Sequence, residues 1–351
     1  MAGKKQTNKA LQPRWQGTLI QADTTQQPTH PKTLIIGISE HGNQTITQLT
    51  KTKPTTTPTA IITTNPKLIN NSQANHKILI NIKPANQTTT PPKLETILDK
   101  TDIIFLTTNL ENNTECEIAT IITQAAQRKD TTIVGVITTP PQNAESKSKL
   151  AKFRQQWDTT ILIDDKTLKQ QLPQIPIEET KPISQQVSAT IIKSMIEVLS
   201  NPNQNNPVTI RTLFEKGGAA LVGIGESTTL NNAEEAACNT LHNSLLNTNP
   251  AEPLHTIVHV TGNRSITIDE VDHLQSFITE STRSNSLIWG AKVDPELNGR
   301  FRVTIIITGI NPPNPTTNLS TITPQLFNLE PYSTQEKKLP IDLDLHQLEN
   351  F

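Results

Sequence analysis

The chain has 351 residues and a formal charge of −1 at pH 7; 33% of it is hydrophobic, with only one Tyr and seven Phe. That length leaves room for two domains and a sizeable core, which must be built mainly from Ile, Leu, Val and Ala. The near-neutral balance excludes nucleic acid as a bulk electrostatic partner, and Cys116 and Cys238 give neither a disulfide framework nor metal spacing. Without a run of 18 apolar residues or a signal-type hydrophobic stretch, the sequence reads as cytoplasmic and soluble, with no direct membrane span.

Residues 1–30 are polar and carry Lys4, Lys5, Lys9 and Arg14. They read as a disordered extension, the alternative being a weak membrane-surface or partner-docking arm. Thr33–Ile38 (TLIIGI) is a continuous apolar run, as expected of a parallel strand covered on both faces. The turn Gly37-Ile38-Ser39-Glu40-His41-Gly42 follows, then a helical pattern with Ile46 and Leu49. It has the outline of a Gly-x-Gly-x-x-Gly turn with Ser39 in place of the middle glycine, the one that admits a pyrophosphate. With no acidic residue near position 60 to hold a ribose, a structural strand–helix turn is the better reading.

Ala60–Thr64 and Lys77–Ile80 are the next strand candidates. Thr101–Arg128 then reads as a buried strand (Ile103–Leu106), a polar loop, and a helix opening near Thr114. In nucleotide-binding α/β proteins, phosphates sit at such a junction because free N–H groups and the positive helix end point at the loop. This loop has no glycine and carries Glu111, Glu115 and Glu117. Thr114 and Glu117 match a capping box that would satisfy the helix start internally. The chain has 13 glycines in all, about half the usual frequency of roughly 7%. The fold looks built for a nucleotide that it no longer holds.

Thr132–Ile137 and Thr160–Ile163 are further strands, with a helix over Ser146–Gln156 between them; alternating strands and helices argue a doubly wound parallel sheet. Pro182–Leu199 is the longest predicted helix. Ile183, Val187, Ile191, Met195 and Val198 form one apolar stripe, widened by Ile192 and Leu199, and Pro202 stops it. A strand over Ala219–Gly225 and a helix over Asn232–Leu245 follow. Leu254–Val260 alternates apolar and polar, Asp269–Glu280 is helical, and Ser286–Val293 and Arg302–Thr308 are strands. His255 and His259 share a strand face, too few ligands for a metal site. After Gly309 the chain takes on a linker composition of Asn, Pro and Thr, and ends in the acidic, leucine-studded Leu339–Phe351.

Gly217–Ser227 (GGAALVGIGES) with Asn231–Leu246 (NNAEEAACNTLHNSLL) closely resembles the start of the second domain of FtsZ, the prokaryotic relative of tubulin. Trp289–Ile310 (WGAKVDPELNGRFRVTIIITGI) is similar to that domain's last two strands. TDIIFLT, TIVGVITTP and DTTILIDD resemble strands of the first domain. The resemblance covers roughly residues 32–310. It implies a tubulin/FtsZ-like α/β fold: a doubly wound parallel-sheet GTPase-type domain (31–181), a long central helix (182–200), and a smaller α/β domain with a four-stranded sheet (201–310). A flexible linker and docking tail (311–351) would follow.

The departures from the family pattern carry the functional expectation. The family's Gly-Gly-Gly-Thr-Gly-Thr-Gly phosphate loop corresponds to Glu111, Asn112, Asn113, Thr114, Glu115, Cys116 and Glu117, of which only Thr114 agrees. The first glycine turn keeps Gly37 and Gly42 but has Ser39, Glu40 and Asn43 where the family has glycines; Asn65 stands for a family Asp. In the family, the loop after the central helix carries an Asn and two Asp that act on a neighbouring subunit's GTP. Here Gln204, Asn206 and Thr209 match those positions, and neither carboxylate remains.

The resemblance therefore implies a pseudo-GTPase without GTP or Mg²⁺, acting as a scaffold or regulator in division or cell shape. Its expected partners are an active FtsZ or other division proteins, at the division site. The alternatives are a divergent tubulin-family GTPase that still polymerises with nucleotide, and an unrelated scaffold on the same fold. Partner contacts are expected at Gln204, Asn206, Thr209 and Arg211, and along the tail. In the tail, Ile341, Leu343 and Leu345 share one side of an extended strand, Leu345 and Leu348 suit one helical turn, and Phe351 ends the chain. In the family such a tail recruits membrane anchors and regulators, and short segments of this kind order on binding. Deleting residues 339–351 is expected to abolish partner capture in a pull-down without changing the melting temperature; unchanged capture and localisation would refute the docking role.

Overall fold

The computed structural model describes residues 31–52, 56–82, 90–109, 112–139, 144–164, 180–200, 213–214, 218–227, 233–242, 255–262, 267–282, 287–297 and 299–310. The first half runs β1 (Thr33–Ile38), α1 (Ser39–Thr52), β2 (Thr59–Thr63), α2 (Pro66–Asn71), β3 (His76–Leu79), α3 (Pro92–Leu98), β4 (Ile103–Thr108), α4 (Asn113–Arg128), β5 (Thr132–Thr139), α5 (Ala144–Gln156) and β6 (Thr159–Asp164). Its strands are rich in Ile, Val and Thr, whose branched side chains suit a pleated surface packed on both sides. The second half comprises α6 (Thr180–Leu199), β7 (Gly218–Glu226), α7 (Ala233–His242), β8 (His255–Gly262), α8 (Ile268–Thr282), β9 (Leu287–Val293) and β10 (Arg302–Ile310).

Among the described residues, the ten strands join in one sheet, in the order β3-β2-β1-β4-β5-β6-β7-β10-β8-β9. The first seven are parallel, with Ile35 opposite Thr59 on one side and Phe105 on the other. The four-stranded group β7-β10-β8-β9 is mixed, because β10 runs antiparallel to both β7 and β8. The sequence gives no sign that this group continues the first sheet. It does so by three residue pairs, Thr159 with Gly218, Thr160 with Ala219 and Ile161 with Ala220. This pairing satisfies backbone groups that a bare β6 edge would leave open.

Helix α6 lies against both halves. Its predicted stripe, Ile183, Val187, Ile191, Met195 and Val198, is buried, as are the flanking Ile192 and Leu199. The cluster around it takes Ile35, Phe105, Val134 and Ile161 from the first half and Val222, Ile224, Ile257 and Ile306 from the second. Burying each such side chain contributes roughly 1.5–3 kcal/mol. The opposite face of the first half is covered by α3, α4 and α5 through Leu94, Ile118, Ile122 and Phe153. On the second half, α7 and α8 pack Ala236, Ala237, Leu274 and Ile278 on Val258, Phe301, Val303 and Ile305. Strand β8, which alternates apolar and polar, is therefore covered on both faces, and Thr256, His259 and Thr261 are buried with the rest.

Buried hydroxyls replace much of the hydrocarbon that the composition lacks. In the helices they return to their own backbone four residues back: Thr45 to His41, Thr123 to Ala119, Ser188 to Ser184, Thr240 to Ala236 and Thr282 to Ile278. Between elements they act as ties. Thr159 donates to the carbonyl of Phe214 (2.9 Å) and Thr308 to that of Leu213 (3.1 Å), fixing the chain that enters β7 between β6 and β10.

Candidate functional site

The sheet order reverses between β1 and β4, and in doubly wound sheets ligands bind in the crevice at the strand ends of such a reversal. Strand β1 runs directly into α1 through Ser39, whose φ of 55° is a left-handed conformation normally given to glycine. Ser39 thus carries a side chain on a backbone conformation that suits glycine. Gly37 and Gly42 touch. A Cβ on Gly42 would lie 2.4 Å from the Gly37 carbonyl carbon and 3.1 Å from the Thr107 oxygen, so both glycines are required by packing of α1 on β1 and β4. His41 is buried, with Nε2 at 3.1 Å from Thr138 Oγ1, tying α1 to the end of β5. Glu40 is exposed and accepts from the Gln44 amide at 3.2 Å.

Asn65 is a helix cap: its Oδ1 accepts the Lys67 N–H of α2 at 3.0 Å, and its own N–H donates to Thr63 Oγ1 at 3.1 Å. At α4 the expected capping box over Thr114 and Glu117 is replaced by a cap two residues earlier. The helix begins at Asn113, and Asn112, extended at φ −130° and ψ 162°, accepts the Glu115 N–H at 2.8 Å. Asn caps at least as well as Thr, and its position directly before the helix lets it take the first orphan donors. Glu117 is exposed, whereas Glu115 is 4% exposed in the first turn, where a carboxylate complements the helix dipole. Thr107 and Thr108, at the end of β4, are fully buried. The structure thus brings Gly37, Ser39, Glu40, Gly42 and the Asn112–Glu117 turn to one end of the sheet. Glu111, Gln204, Asn206, Thr209, Arg211, Ile341, Leu343, Leu345, Leu348 and Phe351 lie outside the described residues.

A second polar cluster, absent from the sequence reading, occupies the cleft between α6 and the strands β8, β9 and β10. Glu197 Oε2 is 3.0 Å from His259 Nε2, and Glu197 Oε1 pairs with the Lys292 ammonium. Burial opposes the charge on Glu197, but the hydrogen bonds and charges of His259 and Lys292 outweigh it and hold the carboxyl below its ordinary 4.5. Nearby, Glu226 is buried and its Oε1 accepts from both Nε and Nη2 of Arg302, each at 2.5 Å. The only sequence cue was that His259 shares a strand face; its partner, 62 positions earlier on a helix, has no local signature.

The model of the "FtsZ family, C-terminal domain" matches residues 218–311. Among curated proteins, the chain is similar to cell division protein FtsZ 1 of Archaeoglobus fulgidus, 27% identical over 63% of this chain and 62% of that protein. It is also similar to cell division protein FtsZ 2 of Haloferax volcanii (24%, over 82% and 78%) and of Methanocaldococcus jannaschii (26%, over 80% of each). Among solved structures, an empty FtsZ dimer from M. jannaschii superposes with a TM-score of 0.71 at 23% identity, over 81% of this chain and 89% of that one. The GDP-bound CetZ1 monomer of H. volcanii gives 0.62 at 11% identity, over 83% and 98%. The fold is that of tubulin and FtsZ, and the matched domain model and curated relatives make the chain similar to FtsZ in sequence as well. Among the described residues, no helix is long and apolar enough to cross a membrane.

The Glu197 cluster predicts a pH dependence. A carboxyl held below its ordinary value contributes stability in full above about pH 4.5, and that contribution disappears as pH falls through the folded-state value. Urea titrations should therefore show Glu197→Gln less stable than wild type at pH 7, with the gap closing at strongly acidic pH. A gap that does not change with pH would assign Glu197 a packing role only.

Proposed function

We propose that this chain is a non-catalytic FtsZ-like protein of the division or cell-shape machinery, working by binding and without GTP or Mg²⁺. The observation that carries this reading is the start of α4, where Asn112 takes a first-turn N–H and the Glu115 carboxylate is buried in the place a phosphate loop would hold. A carboxylate about 4 Å from a phosphate charge costs on the order of 4 kcal/mol at an effective dielectric near 20, which is about three orders of magnitude in affinity. The glycine-free loop leaves no open backbone to offset that cost. Equilibrium dialysis with labelled GTP and Mg²⁺ should detect no binding at physiological nucleotide concentrations; micromolar binding would overturn the proposal in favour of a divergent GTPase.

The same reading gives the protein a way to act on an active relative. FtsZ filaments are head-to-tail, so the loop after α6 would meet the nucleotide face of the next subunit. With Gln204, Asn206 and Thr209 there, it would cover a relative's GTP without supplying carboxylates, and so cap or stabilise its filaments. In mixed assembly with an active FtsZ of the same organism, wild type should lower GTP turnover per filament. Asn206→Asp with Thr209→Asp should restore part of it. Unchanged turnover and filament length with both proteins would refute the capping role.

A further inference from the structure

Strand β9 ends the sheet on the second-half side, pairing with β8 and, among the described residues, with no other strand. Just beyond it, the Asp294 N–H donates to the Gly262 carbonyl, toward β8. Backbone groups of successive strand residues point to alternate sides, so the N–H and C=O of Trp289, Ala291 and Val293 point to the open edge. Their side chains share one face with that of Leu287. Leu287 and Trp289 pack at the rim of the α7–α8 core, whereas Ala291 is exposed and Val293 is 44% exposed. The other face is closed: a Cβ on Gly290 would lie 3.1 Å from Val198 of α6, and Lys292 pairs with Glu197. The sheet's far edge, β3, is shorter and partly capped, since the Lys93 ammonium donates to the Lys77 carbonyl at 3.0 Å. An open edge of seven residues with an apolar face is a template for one more strand.

The chain itself carries a segment of matching pattern. Strand β10 lies two strands in from β9, and the pairing of Thr308 with His255 puts its end near the Leu287 end of β9. The open edge is then about 15 Å from Ile310 at the usual strand spacing. Residues 311–338 lead from there to the tail. A random coil of that length spans roughly 30 Å and presents its end at about millimolar effective concentration. We propose that residues 341–345 add to the open edge of β9 as a further strand, in exchange with the free tail. Ile341, Leu343 and Leu345 would lie beside Trp289, Ala291 and Val293, and Asp342 and Asp344 would stand on the Lys292 side. A partner that captures the tail must then displace it from β9, whether or not the chain binds GTP.

Disulfide trapping in the full-length protein tests this. Ala291→Cys is combined in turn with Ile341→Cys, Leu343→Cys, Leu345→Cys, Asp342→Cys and Asp344→Cys, and the bonds formed are located by mass spectrometry. A disulfide needs Cα atoms within about 7 Å and side chains that face each other, which paired strands offer only on a shared face. The fastest of the three apolar positions should therefore close an intramolecular bond at least about 5-fold faster than either acidic position. Val293→Cys should show the same preference, and serves if the Ala291 variant fails to fold. Ala291→Pro removes an outward N–H and leaves the bonds to β8 intact, so it should slow trapping at Val293→Cys several-fold. At a docked fraction of about one half, deleting the tail moves Tm by no more than about 1 °C. Equal rates on both tail faces would mean a tether that only collides with the edge, and bonds formed mainly between molecules would mean that a second copy covers it. Either outcome, no trapping at all, or trapping that ignores Ala291→Pro would overturn the proposal.

Discussion

Everything in this molecule depends on a single helix being buried by two halves of one sheet. Met195 and Ile191 of α6 are wholly inaccessible, and the residues around that helix come from strands more than 200 positions apart in the chain. The direct strand connection between the halves is only three residue pairs long. The apolar burial on α6 outweighs what so few ladder bonds contribute, since each is worth about 1 kcal/mol net. The polar ties at its flank, Glu197 to His259 and Lys292, then fix how the helix meets β8 and β9.

Most elements were legible in the sequence because they rest on local patterns. Runs such as Thr33–Ile38 and Thr132–Thr139 are mostly β-branched, and the α6 stripe falls at helical spacing. What was illegible is non-local. Nothing in Thr159–Asp164 announces that its free edge pairs with Gly218–Ala220, and nothing near His259 announces Glu197. The α4 cap was misplaced for a different reason. Thr114, Asn112 and Asn113 are all competent capping residues, and only the extended backbone at Asn112 selects among them.

The end of the sheet that faces the strand reversal is shaped by close backbone contacts. Ser39 adopts a glycine-like φ, and Gly37 and Gly42 stay in contact, because both features are needed to seat α1 whatever binds there. Asn65 and Asn112 each cap a helix with a short side chain. Positions that in an open loop would offer N–H groups outward are here satisfied by the protein itself.

The helical hydroxyls that fold back on their own carbonyls bear on how far such a sequence can drift. A buried threonine ordinarily ties its neighbours to its presence, since its hydroxyl needs a partner elsewhere in the fold. Thr45 and Thr282 carry their partner with them, four residues back on the same helix. Each can therefore be exchanged for a residue of similar shape without leaving a neighbour orphaned, and the exchange at one site places no demand on the next. A core assembled from such self-contained positions accumulates substitutions independently, which is one physical route by which a chain about a quarter identical to its relatives retains their fold.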